Sequence, residues 1–212
     1  MALTVGIIGS GTVAQTLGKG FFGAGASVTM GTRDPGKLAT FTAETGIPVA
    51  DVATAAAADV LVLAVKGTAA ETVVRQLGSA LAGKVVIDTT NPIADGAPDA
   101  GVLRYFTNAN ESLMERLQAI APGARFVKAW NSVGAPFMIH PTFAEGRPTM
   151  FICGNDADAK AQVAEILDGF GWRPKDVGLA PSARPVEALC QLWCAPGFLS
   201  GQWRHAFALF ER

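Results

Sequence analysis

Near the start of the chain Gly9, Gly11 and Ala14 form a Gly-x-Gly-x-x-Ala pattern, directly after the apolar run Thr4 to Ile8 and directly before the helical spacing of Gln15 to Phe22. In a chain with 24 glycines such a triplet alone is a weak signal; the strand before it and the helix after it give it meaning. Gly9 permits a tight turn, Gly11 lets a pyrophosphate approach the backbone, and small Ala14 lets helix and strand pack closely. Ser10, Thr12 and Val13 complete the turn, and the first amides of the helix present a positive partial charge to an anion. The pattern implies a dinucleotide site; the alternative is a glycine turn with no ligand.

The choice of nucleotide lies at the end of the second strand. An NAD site needs a carboxylate there for the ribose hydroxyls, whereas Met30-Gly31-Thr32-Arg33 offers a hydroxyl and a guanidinium. Thr32, Arg33 and Lys37 therefore read as a clamp for a 2′-phosphate, which points to NADP(H). Asp34, the nearest acid, is expected to cap a helix beginning at Pro35. A plain solvated charge is the other reading of Arg33.

Proton-transfer groups are scarce. Tyr105 is the only tyrosine, and four places on stands Ala109 where a short-chain dehydrogenase dyad needs lysine. His140, in a proline-flanked loop, and His205, in the last helix, read as surface or packing residues, and Lys66 is equally a strand-end charge or a polar group beside the nicotinamide. No catalytic residue is assigned. Hydride exchange between two bound cofactors needs little beyond stacking and orientation, which suits this scarcity. Cys190 and Cys194 lack the partners of a metal site and read as packing, so no metal is expected. Ser182 and Arg184 are candidates for contacting a second cofactor, with an Arg184–Glu187 ion pair at a helix start as the alternative.

These residues must be carried by alternating strands and helices. Strands are expected at Leu3 to Ile8, Ser27 to Gly31, Pro48 to Val49, Val60 to Val65, Lys84 to Asp88, Arg125 to Ala129, Thr149 to Cys153 and Trp172 to Val177. Helices are expected at Thr12 to Gly23, Pro35 to Thr45, Ala69 to Ala80, Glu111 to Ala121, Ala157 to Phe170 and Val186 to Phe210. The fold class is α/β, a doubly wound, mostly parallel Rossmann-type sheet with a short helical C-terminal tail. Residues 1–212 read as one domain, with a loose loop from Ala94 to Tyr105 at the carboxyl edge of the sheet. Half of the residues are hydrophobic and 17% are charged, enough apolar material for a large core. With 17 basic and 18 acidic residues scattered along the chain and no basic run to neutralise a row of phosphates, nucleic acid is not expected as a partner, and no apolar run is long enough for a membrane helix. Three cysteines and no basic leader point to the cytoplasm. The greasy run from Leu189 to Phe210 leads us to expect a homodimer, its tail packing on the partner and closing the nicotinamide end of the cleft; a cap folded back on its own domain is the alternative.

Taken together, the chain resembles the coenzyme F420-dependent NADP oxidoreductases and the related reductase domain of the STEAP metalloreductases. The resemblance rests on Gly9-Ser10-Gly11-Thr12-Val13-Ala14, on Gly31-Thr32-Arg33 with Lys37, on Lys128-Ala129-Trp130-Asn131, and on Met150 through Asp156. It continues through Pro174 to Gly178 and Ser182 to Glu187, nearly the full length in the family's order. It implies a compact eight-stranded domain, often dimeric, exchanging hydride between NADP(H) and F420 or a flavin. It also implies that Ala64, Val65 and Lys66 line the nicotinamide ribose and that Asn91, Pro92 and Asn131 floor the hydride site. The stretch Asn131-Ser132-Val133-Gly134 is closer to the metalloreductase version, which leaves NADP in place and the acceptor open. Two other readings remain: a small-substrate reductase of the pyrroline-5-carboxylate or β-hydroxyacid type, against which stand the only about 35 residues after the last strand, and a dinucleotide-sensing module without turnover.

Overall fold

A computed structural model describes residues 2–211. Six parallel strands form the central sheet: β1 (Thr4–Ile8), β2 (Ser27–Gly31), β3 (Val49–Ala50), β4 (Val60–Leu63), β5 (Val85–Asp88) and β6 (Arg125–Lys128), in the spatial order β3-β2-β1-β4-β5-β6. That is a doubly wound, Rossmann-type arrangement whose strand order reverses between β1 and β4, the place where such sheets leave a crevice at their carboxyl ends. β4 and β5 are buried along their whole length, as parallel strands covered on both faces must be.

Alternation along the strands divides the core in two. Ile7, Val62 and Ile87 face one layer with Trp130, Phe170 and Trp172, while Ile8, Leu61, Leu63 and Val86 face the other with Leu117 and Phe126. The covering helices are α1 (Thr12–Gly23), α2 (Ala39–Thr45), α3 (Val52–Ala55), α4 (Gly67–Leu77), α5 (Leu113–Ile120), α6 (Ala157–Gly169) and α7 (Ala183–Ser200). Ser112 starts α5 with a full capping box to Glu115, and Asp51 and Asp156 cap α3 and α6 through their side chains.

Three expectations need correction. The eight strands do not form one sheet: β7 (Thr149–Ile152) and β8 (Arg173–Asp176) pair with each other and are joined to the main sheet by an isolated antiparallel bridge between Lys128 and Cys153 and by packing of Met150 and Ile152. The last helix stops at Ser200, where Gly201 takes the left-handed conformation that ends it, and does not run to Phe210. Residues 201–211 instead fold back without regular structure along β7, where the Phe207 carbonyl accepts from the Thr149 amide and the Trp193 indole donates to the His205 carbonyl. Asp34 precedes the 3-10 turn Pro35–Leu38 but makes no side-chain cap; its carboxylate instead lies 3.9 Å from Lys37. No described helix is long and apolar enough to cross a membrane.

Candidate functional site

Two glycines in the first turn serve opposite ends. Gly9 has φ 141°, and a Cβ there would lie 2.2 Å from the carbonyl oxygen of Ala64, so the close approach of the β1 and β4 ends demands glycine on internal grounds. Gly11 has an ordinary extended backbone, φ −79° and ψ 179°, and a Cβ there would meet no protein atom within 4 Å. Nothing inside the chain requires glycine at that position; the space it leaves opens outward. Gly11 is also the N-cap of α1, with no side-chain cap, so the first-turn amides of Thr12 and Val13 face that space without a side-chain acceptor. Gln15 donates to the Ser10 carbonyl and closes the turn from behind, and buried Ala14 seats the helix on the sheet.

Gly11 stands where two cavities meet. One, of about 630 Å³, runs over the end of β2 and is bordered by Gly9, Ser10, Thr32, Arg33 and Lys37. The other, of about 580 Å³, runs the opposite way over β4 and β5 and is bordered by Thr12, Val13, Thr89, Thr90 and Asn91, then by the loop from Ile93 to Gly96. Ala64, Val65 and Lys66 line both. Because they share Gly11, Ala64, Val65 and Lys66, the two form one cleft along the carboxyl edge.

At the first end Thr32 is buried and its hydroxyl accepts from the Asp34 amide at 3.2 Å, while Arg33 is exposed and makes no ion pair among the described residues. Lys37 has only the weak, exposed contact with Asp34. Lys66, the N-cap residue of α4, is exposed and likewise unpaired among the described residues.

At the second end the wall is braced from beneath. Asn91 and Asn131 pair reciprocally: Nδ2 of Asn91 donates to the Asn131 carbonyl at 2.7 Å, and Nδ2 of Asn131 donates to Oδ1 of Asn91 at 3.1 Å and to the Val186 carbonyl at 2.8 Å. Asn131 and Pro92 are themselves buried and border neither cavity; they stand behind Asn91 rather than forming the floor. Trp130, just before, holds a left-handed φ of 56°, a conformation costing about 1–3 kcal/mol for a bulky residue. Its indole donates to the Met138 carbonyl, fixing the bend that turns Asn131 toward Asn91.

Below this wall lies a group that sequence reasoning missed. Lys128, completely buried, places Nζ 2.6 Å from Asp88 Oδ2, 2.7 Å from Glu187 Oε1 and 2.8 Å from the Thr90 carbonyl. Oδ1 of Asp88 accepts from the amide and hydroxyl of Thr90, and Glu187 accepts from the amides of Leu113 and Met114 at the start of α5. Burial alone would pull the lysine pKa down; the two carboxylates outweigh it and hold it above the ordinary value. The Arg184–Glu187 pair, the alternative to a cofactor contact, does not form, because Arg184 grips Glu115 with two hydrogen bonds and Glu187 turns inward. Asp88 and Lys128 end neighbouring strands in register, a pairing that alternation and spacing along the chain do not reveal.

The remaining candidates lie away from the cleft. The Tyr105 hydroxyl donates to the Glu187 carbonyl, and burial pushes its pKa up, so it holds its proton. His205 stacks on Trp193 with ring centres 4.9 Å apart, and His140 sits edge-on to Phe170. Ser182 donates to the Val177 carbonyl, and neither Ser182 nor Arg184 borders the cleft. Cys190 is buried and Cys194 partly so; among the described residues no cluster of metal-ligating side chains occurs.

A six-stranded sheet in this order, with a glycine turn and a double cavity at its switch point, defines a Rossmann-type domain of the NAD(P)-dependent oxidoreductases. Residues 4–92 match the family model described as NADP oxidoreductase, coenzyme F420-dependent. A crystal structure from Arthrobacter sp. FB24, assigned as an F420-dependent NADP-reductase, is 31% identical, covers 98% of this chain and 99% of its own, and superposes with a TM-score of 0.90. The chain belongs to the coenzyme F420-dependent NADP oxidoreductase family. It is also 29% identical over 200 residues to the metalloreductase STEAP3 of Rattus norvegicus, matching 92% of this chain but only 39% of that protein, so it spans about two fifths of the curated relative. A pyrroline-5-carboxylate reductase from Coxiella burnetii, 19% identical with a TM-score of 0.64, shares the fold.

Proposed function

We propose that this chain is an NADP(H)-dependent reductase exchanging hydride with a flavin or deazaflavin such as F420. The observation that carries the reading is Gly11: glycine without internal need, opening onto the junction of two cavities beside unpaired helix amides. Ser10, Thr12 and Val13 would hold the pyrophosphate there, and Thr32, Arg33 and Lys37 the 2′-phosphate. Ala64, Val65, Lys66 and Asn91 would line the ribose and nicotinamide, with Asn131 and Pro92 supporting Asn91 from behind. Bound NADPH would supply the hydride with its electron pair, and the chain contributes orientation and a wall on one side of the ring; the anion that hydride addition leaves on a flavin or deazaflavin takes its proton from solvent at the open cleft.

The test is to mix purified protein with NADPH or NADH and FMN, FAD or F420 in turn and follow nicotinamide absorbance. Turnover with NADPH and one of these acceptors supports the reading; tight NADPH binding with no turnover in any mixture favours a sensing module. A homodimer also forms part of this proposal, through the outer face of α7, where Leu192 and Leu199 remain exposed at 60% and 68%. The tail lies on β7 and borders neither cavity, so it does not close the cleft of its own chain. Light scattering at micromolar concentration distinguishes dimer from monomer.

A further inference from the structure

We propose that the buried cluster of Lys128, Asp88 and Glu187 is a fixed source of net negative charge beneath the nicotinamide end of the cleft, favouring the oxidised cofactor over the reduced one. The inference rests on the cleft reading above.

The charge follows from the inventory. Two carboxylates surround one ammonium, all at most 2% exposed, which leaves one negative charge in excess. Nearby ionisable groups do not cancel it. The Cys153 thiol is pushed up to about 12 by burial and stays neutral, while Arg184 and Glu115 pair with each other. Two amides at the start of α5 and the amide and hydroxyl of Thr90 hydrogen-bond the carboxylates without adding a positive ion.

The location follows from Thr90. Thr90 borders the second cavity, and its hydroxyl and amide both donate to Asp88 Oδ1, at 2.7 and 2.9 Å. The carboxylate thus stands one side chain behind the wall, in a dry interior where a charge acts over more than contact distance. An excess buried charge is expensive to keep, and a core braced for stability alone is as well served by a neutral arrangement. The oxidised nicotinamide ring carries one more positive charge than the reduced ring. A negative charge fixed before the reaction therefore stabilises the product of hydride donation and makes bound NADPH the stronger reductant. The three residues are positioning groups: they act through Thr90 and through the field, without touching the ring.

Dissociation constants of NADP+ and NADPH are to be measured by fluorescence titration for the full chain and for Asp88→Asn, Glu187→Gln and Lys128→Met. Asp88→Asn and Glu187→Gln each leave Lys128 one carboxylate and bring the cluster to zero charge. Each is expected to weaken NADP+ relative to NADPH by roughly tenfold or more, the scale of one charge acting over about 10 Å at an effective dielectric of about 20. Lys128→Met leaves two carboxylates facing each other, one of which takes up a proton, so the cluster keeps one negative charge and the ratio is expected to stay near that of the full chain. Damage to the wall alone weakens both forms together and leaves the ratio unmoved in every variant. Should Lys128→Met fail to fold, the two carboxylate variants carry the test, with unfolding temperatures recorded beside the binding. An unchanged ratio in both, or a shift toward tighter NADP+, overturns the inference while nucleotide binding as such leaves the cleft reading standing. A wild-type chain that binds neither nucleotide overturns both.

Discussion

Replacing Arg33 with alanine is expected to separate NADPH from NADH. Arg33 borders the first cavity at the end of β2, is exposed, and makes no ion pair among the described residues, so its removal breaks no internal contact. The neighbouring carboxylate, Asp34, is turned toward Lys37 at 3.9 Å, and the Thr32 hydroxyl is engaged by the Asp34 amide; Arg33 is thus the group at this end freest to meet a phosphate. A charge-assisted, bidentate contact of this kind contributes about 1.5–3 kcal/mol, and exposure to solvent lowers the range to about 1–3 kcal/mol. The NADPH dissociation constant should therefore rise by about five- to 150-fold while that of NADH barely moves, with the difference shrinking at higher salt. Fluorescence titration of both nucleotides at two ionic strengths measures this. Equal losses for the two, or none for NADPH, would refute the clamp.

Gly11→Val should abolish binding of both nucleotides yet shift the unfolding temperature by only a few degrees, since its Cβ meets no protein atom within 4 Å; normal affinity would place the site elsewhere. Gly9→Ala should instead cost about 3 kcal/mol or more of stability in denaturant melts, because its backbone is at φ 141° and the new methyl meets the Ala64 carbonyl at 2.2 Å. A thiol reagent at pH 8 should modify Cys194 first, its pKa lowered by the Cys190 thiol donating to it, and leave Cys153, at about 12, untouched until the protein unfolds. The raised folded pKa of Cys153 also sets a sign: the unfolded thiol ionises from about 9 and the buried one from about 12, so stability falls as pH rises across that window, and Cys153→Ala should flatten the fall.

What the amino-acid order determined by itself is local. The apolar runs of β1 and β4 and the small residues at Gly9 and Ala14 constrain only near neighbours, and each places its strand, turn or helix within a residue or two. Thr12–Gly23 and Ser27–Gly31 fall where the pattern put them. Thr32, Arg33 and Ala64 through Lys66 follow strand ends, with Lys37 on the turn just beyond, and strand ends of a parallel sheet share one edge, so their convergence on one cleft was also legible.

Other features were decided by which distant segments came to lie together. Lys128 reads as an ordinary strand-end charge until β5 and β6 pair in register and α7 turns Glu187 inward, which frees Arg184 for Glu115. Asn131 and Pro92 could be placed near the carboxyl edge, but only packing set them behind Asn91. The last helix ends at Ser200 and the apolar residues beyond it cover β7 because Thr149 offered unpaired backbone there, a requirement that no pattern within the tail expresses. Periodicity records what a residue needs from its neighbours a few places away; a buried charge or an open backbone edge is satisfied by whatever the fold delivers, and that is settled only in three dimensions.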